Sequence, residues 1–136
     1  MEESKSKTEN TTPKVTGIGG IFFFSDDTKG IKEWYAKHLG VEVNDWGGVS
    51  FDYRKADNPE VIIPLQWTPF KSGSDYFAPS KKEFMINYTV QNIEGLVEKL
   101  KESGVTIVDE MQTFDFGKFI HIMDAEGNKI ELWEPR

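Results

Sequence analysis

Gly117-Lys-Phe-Ile-His-Ile-Met-Asp-Ala-Glu-Gly-Asn-Lys-Ile-Glu-Leu-Trp-Glu-Pro135 contains two alternating runs, Phe119–Met123 and Lys129–Glu134, on either side of Asp124-Ala125-Glu126-Gly127-Asn128. Gly127-Asn128 can supply the positive φ values of a tight reversal, so the stretch predicts a β-hairpin with a short acidic loop. Successive strand side chains point to opposite faces. Ile120, Ile122, Ile130 and Leu132 then form apolar faces of the kind that pack on a helix. The other faces carry Phe119, His121, Met123, Lys129, Glu131 and Trp133. An imidazole and a carboxylate among large aromatic groups read as the wall of a cup. The plainer alternative is a solvated sheet face, the ordinary fate of charged residues.

Composition narrows the function classes. The 136-residue chain is one ordinary domain, with ten Phe, four Trp and four Tyr, more aromatic surface than a small core needs. An aromatic core and an aromatic-lined pocket both account for that surplus. There is no cysteine, which excludes disulfides, thiolate metal sites and cysteine nucleophiles. A net charge of −7 argues against nucleic acid or an anionic membrane as partner. No long apolar run and no signal-like start are present, so the expected location is cytoplasmic.

In chain order, residues 1–13 read as a disordered tail and 14–136 as a single domain. Thr16–Phe24 is a strand apolar on both faces. Asp26, Asp27 or Thr28 caps a helix near Lys29–Leu39, whose Ile31, Trp34, Tyr35 and Leu39 form one stripe, and Gly40 stops it. Strands are expected at Val41–Asn44, Val49–Arg54 and Val61–Trp67. Thr68–Lys82 reads as a loop in which Tyr76-Phe77 is an exposed aromatic pair. The pattern then restarts: a strand at Glu83–Val90, a helix near Ile93–Ser103 capped by Asn92 and stopped by Gly104, a short strand at Val105–Val108, and the hairpin. Asp26 to Asn92, Gly40 to Gly104 and Trp67 to Trp133 are 66, 64 and 66 residues apart. Such an offset is the signature of an internal repeat. The fold class is therefore α+β: two βαβββ modules, about 14–70 and 83–136 with a linker at 71–82, forming an incomplete barrel with helices outside. The apolar stripes of both helices should be buried against the sheets.

Over Val15–Pro135 the chain resembles the vicinal oxygen chelate superfamily, which includes glyoxalase I, extradiol dioxygenases and bleomycin-resistance proteins. The resemblance is carried by Trp34-Tyr-Ala-Lys-His-Leu-Gly40 and by Asp124-Ala-Glu-Gly-Asn-Lys-Ile-Glu-Leu132, with Ala125 where the family commonly has proline. It implies a divalent metal acting as a Lewis acid, held by residues of strands one, four, five and eight. Glu131 occupies the strand-eight position. Gly19 and Met85 stand at the strand-one and strand-five positions, and Gln66 or Pro64 at strand four. With one anionic donor among them, no tightly held cofactor is expected, although a divalent metal through Glu131 and His121 stays open.

Two functional readings remain, beside a third possibility in which the chain's own aromatic groups fill the cavity and the domain acts only as a dimer scaffold. In one the protein is an enzyme of the lyase (lactoylglutathione-lyase-like) or isomerase type, with Glu131 as base or ligand and His121 as acid–base partner. In the other it is a bleomycin-resistance-type binder sequestering an aromatic or cationic small molecule. Trp46, Trp67, Trp133, Tyr76 and Phe77 would then stack on the ligand. Gln66, Met85 and Asn87 complete the expected ligand-binding set, and Met85, Asn87, His121, Glu131 and Trp133 should line one cavity. With no cation beside it, Glu131 should be hard to ionise. A homodimer is the expected assembly.

Overall fold

The computed structural model describes residues 12–136; the expected tail at 1–13 lies outside them except for Thr12 and Pro13. The elements, in order, are β1 (Lys14–Ser25), α1 (Thr28–Leu39), β2 (Val49–Lys55), β3 (Asn58–Lys71), a 3₁₀ turn (Asp75–Phe77), β4 (Phe84–Gln91), α2 (Ile93–Glu102), β5 (Gln112–Phe114), β6 (Gly117–Met123) and β7 (Lys129–Pro135). Among the described residues, two helices accompany a mixed sheet in the order β2-β3-β1-β4-β7-β6-β5. This is the α+β class expected from the repeat. By contacts the chain forms two units, residues 12–17 with Asn87–Arg136, and Ile18–Ile86.

In the Ile18–Ile86 unit, β3 runs antiparallel to β2 and parallel to β1. It extends through Lys71, four residues beyond the expected Trp67. Pro69 had argued for a loop, but β2 starts pairing only at Val49↔Trp67, so past Trp67 that side of β3 has no strand partner and proline is tolerated. Val41–Asn44 forms no strand. Asn44 instead closes a turn, its Oδ1 accepting the N–H groups of Trp46 at 3.0 Å and Gly48 at 3.1 Å. This module therefore has three strands, one fewer than expected. Asp27 is the cap of α1, accepting from Gly30 N–H at 2.9 Å, and Gly40 ends the helix at φ 71°.

The apolar stripe of α1 is less buried than expected: Trp34 stays 50% exposed and Leu39 59%. At about 100° per residue the four side chains span roughly 140° of the helix. Ile31 and Tyr35 sit at its middle, and Tyr35 packs on Trp67 with centroids 4.6 Å apart. Trp34 and Leu39 lie at the stripe's two margins. A second cluster, Phe22, Phe77 and Met85 with Phe24 and Phe70, forms the buried centre of this unit.

In the other unit, Asn92 caps α2 through Gly95 N–H, and the stripe Ile93, Leu96, Val97 is buried against Val90, Ile120, Ile122 and Leu132. Each such side chain contributes about 1.5–3 kcal/mol on removal from water. Val105–Val108 keeps only one bridge, Ile107↔Ile122, and the strand paired along the outer side of β6 is Gln112–Phe114.

Candidate functional site

The hairpin pairs Phe119 with Trp133, His121 with Glu131 and Met123 with Lys129. Its apolar parity packs on α2, which puts these three pairs on the opposite face. Asp124 sets the reversal: its Oδ1 accepts from Glu126 N–H and Asn128 N–H, both at 2.9 Å, while Gly127 takes φ 80°.

His121 and Glu131 are both 4% exposed, and Nε2 of the ring lies 2.7 Å from Oε2 of the carboxylate. Asn87, from β4 and 2% exposed, donates Nδ2–H to the other carboxylate oxygen at 2.6 Å. Its own Oδ1 is buried without a hydrogen-bond partner, an acceptor left unused at a fully enclosed position. On the far side of the ring, Nδ1 is 2.6 Å from Asp109 Oδ2. Burial alone acts to lower the His121 pKa and is the largest single influence. The hydrogen bonds to Glu131 and Asp109, with their Coulomb attraction, together outweigh it and raise the pKa above its usual value. Glu131 is thus not walled by aromatic groups alone. The imidazole is its direct partner, and Lys129, also buried, follows on the same face.

Trp133 stacks on Phe119 at 5.7 Å and 6°, and donates Nε1–H to Phe116 O at 3.1 Å. Phe114 and Phe116 stack at 5.2 Å and 5°, and both meet Phe119 edge-on. This aromatic cluster adjoins the His121–Glu131 pair along the hairpin. Asp109 and the Phe114–Phe116 pair were not marked by the sequence. Asp109 reaches His121 through a long-range fold contact that no local spacing announces.

The other expected ligand-binding residues belong to the Ile18–Ile86 unit. Trp46 stands on its turn 87% exposed. Trp67 packs between Phe23 and Tyr35. Gln66 donates to Ser50 Oγ at 3.3 Å. Tyr76 stacks on Phe70 at 5.4 Å. Phe77, expected exposed, is buried against Phe24 because the 3₁₀ turn tucks its ring inward. Met85 is fully buried in the Phe22–Phe77 cluster. An apolar cleft of about 280 Å³ lies beside α2, lined by Val15, Tyr88, Leu96, Leu100, Ile122, Ile130 and Leu132. An open depression of about 580 Å³ lies at the start of α1. Neither has His121 or Glu131 on its wall.

The divalent metal that the resemblance implies does not fit the residues present. Among the described residues no three His, Asp or Glu side chains form a group suited to an ion. Asp109 and Glu131 occupy opposite ring nitrogens of His121, so the three cannot converge on one point. Gly19 offers no side chain, and the Met85 thioether is a soft donor.

Solved structures share this fold at low sequence identity. Methylmalonyl-CoA epimerase from Mycobacterium tuberculosis is 23% identical, with a TM-score of 0.55 over 90% of this chain and 89% of its own. A Streptomyces coelicolor methylmalonyl-CoA epimerase variant in complex with 2-nitronate-propionyl-CoA is 15% identical, TM-score 0.63, over 90% and 99%. A glyoxalase/bleomycin resistance protein/dioxygenase superfamily member from Vibrio splendidus 12B01 is 14% identical, TM-score 0.56, over 90% and 99%. No curated protein sequence matches the chain. The family model of the Glyoxalase/Bleomycin resistance protein/Dioxygenase superfamily matches residues 17–132, and with the fold in agreement the chain belongs to that superfamily.

Proposed function

We propose that the protein is an acid–base isomerase that takes a proton from a carbon next to a carbonyl, with Glu131 as base and His121 as its proton partner. The observation that carries this reading is the Glu131 carboxylate, buried, with one oxygen on Asn87 and the other 2.7 Å from His121 Nε2. A carboxylate paired with an imidazole can accept and return a proton near neutral pH. Burial keeps water from an anionic intermediate, and it also requires the covering side chains to give way as substrate enters. The epimerases of similar fold make small acyl-CoA thioesters the first substrates to try.

The test is incubation with methylmalonyl-CoA in D₂O, following the proton on its acidic carbon by NMR. Exchange by the wild type, reduced at least about 100-fold in Glu131→Gln, is the expected result. Wild-type protein without exchange on acyl-CoA thioesters would overturn it.

A second reading, a non-catalytic binder of the bleomycin-resistance type, is favoured by the stacked Phe114 and Phe116, 44% and 61% exposed. It predicts binding of a planar aromatic compound that survives Glu131→Gln and is lost in Phe116→Ala. Under either reading we take the assembly to be a homodimer, supported by the half-exposed Trp34 and Leu39 of α1, and sedimentation of a monomer would refute it. An acidic, cysteine-free chain suits the cytoplasm.

A further inference from the structure

Asp109 is bonded twice to a single residue. Its Oδ1 accepts the main-chain N–H of His121 at 2.8 Å, and its Oδ2 lies 2.6 Å from His121 Nδ1. A break in the sheet delivers it there. Along the outer edge of β6, Val108 N–H donates to His121 O at 2.9 Å and Met123 N–H to Thr106 O at 3.0 Å. Further along the same edge, β5 pairs Gln112–Phe114 with Gly117–Phe119. Between these two stretches the chain passes through Asp109, Glu110 and Met111, and the His121 N–H is taken by the Asp109 side chain. Interruptions of this kind re-aim a side chain.

We propose that Asp109 is the positioning residue of this site: gripping His121 by both main chain and Nδ1, it fixes the imidazole in the form with hydrogen on Nδ1 and holds Nε2 on Glu131. An ionised carboxylate only accepts hydrogen bonds. Nδ1 must therefore carry a hydrogen whether the ring is neutral or cationic, and Nε2 is left to share one proton with Glu131 Oε2. The ring cannot turn over without breaking both contacts. The Asp109 side chain is 35% exposed while those of His121 and Glu131 are each 5% exposed, so Asp109 steers the buried pair from the solvent side without needing to touch substrate. The kinetic part of this inference rests on the proposed isomerase reading; the spectroscopic part does not.

The experiment is Asp109→Asn in the full chain, read by ¹⁵N NMR of the His121 ring. The asparagine carbonyl still accepts the main-chain N–H, so the segment stays docked. Its amide, however, offers a hydrogen to Nδ1, which must become a bare acceptor in a neutral ring with hydrogen on Nε2. We expect a protonated Nδ1 signal in the wild type, a bare one in Asp109→Asn, and return of the protonated signal in Asp109→Glu. In the exchange assay kcat should fall about 100-fold or more with KM little changed. A folded Asp109→Asn protein that keeps hydrogen on Nδ1 and full kcat would overturn the proposal. If that variant does not fold, a bare Nδ1 in the neutral wild-type ring does so instead. A ring that switches in Asp109→Asn while the wild type never turns over substrate would sink the isomerase reading and leave the positioning role standing.

Discussion

His121 is the residue on which the charge balance of the site turns. Its pKa is raised in the folded state, because two carboxylates outweigh the cost of burying the charged ring. A raised pKa contributes stability that is complete below the unfolded value, about 6.5, and is lost as pH rises through the folded value. In urea, the margin of wild type over His121→Asn should therefore be larger at pH 6 than at pH 9. Equal margins would mean that the carboxylates do not hold the proton on the ring. Gly117 is constrained just as closely. It takes φ 136°, and a Cβ there would run into Glu134 O and lie 2.6 Å from Trp133 Nε1. Gly117→Ala should cost on the order of 1–3 kcal/mol and loosen Trp133 from Phe116, measurable as a change in tryptophan fluorescence.

At the scale of elements, the two helices begin alike. Asp27 caps Gly30, Asn92 caps Gly95, and at both glycines a Cβ would collide with the capping side chain. The glycine three places after the cap is thus part of the cap, a repeat within the repeat that hydrophobic patterning does not reveal. Gly95→Ala offers about 1 kcal/mol of helix propensity but displaces a cap of similar worth. We expect no net stabilisation from Gly95→Ala alone, and about 1 kcal/mol from the same change in an Asn92→Ala background. Equal gains in both backgrounds, by chemical denaturation, would show that the cap and the glycine are independent. Leu96→Ala, by contrast, opens the Ile120–Ile122–Leu132 core and should cost about 2–5 kcal/mol.

For the whole molecule, the superfamily and its α+β fold are established, and no described helix is long and apolar enough to cross a membrane. Whether this chain can hold an ion turns on its donor set. His121 uses one ring nitrogen on each of two carboxylates, which leaves Glu131 committed to an imidazole. We expect metal analysis of untagged protein, purified without chelator, to give far less than one zinc or nickel ion per chain. Stoichiometric metal that disappears in Glu131→Gln would show instead that the His121–Glu131 bond opens to admit an ion.

The sequence by itself determined what depends on neighbours along the chain. The alternation in Phe119–Met123 and Lys129–Glu134 sorted Ile120 and Leu132 from His121 and Glu131, because strand parity is a local property. Asn92, Gly40 and Gly104 marked helix ends, because caps and positive-φ stops are built within one turn. Tertiary structure decided what depends on partners far along the chain. Val41–Asn44 has strand-like residues and no strand to pair with. Pro69 sits in a strand because the neighbouring strand has already ended. Trp46, Trp67 and Phe77 look alike as aromatic groups, yet one is exposed, one lies between a helix and a strand, and one is core. Asp109 meets His121 only because the edge of β6 is interrupted at that point. A hydrogen bond spanning twelve residues across a sheet irregularity leaves no periodicity in the sequence to read.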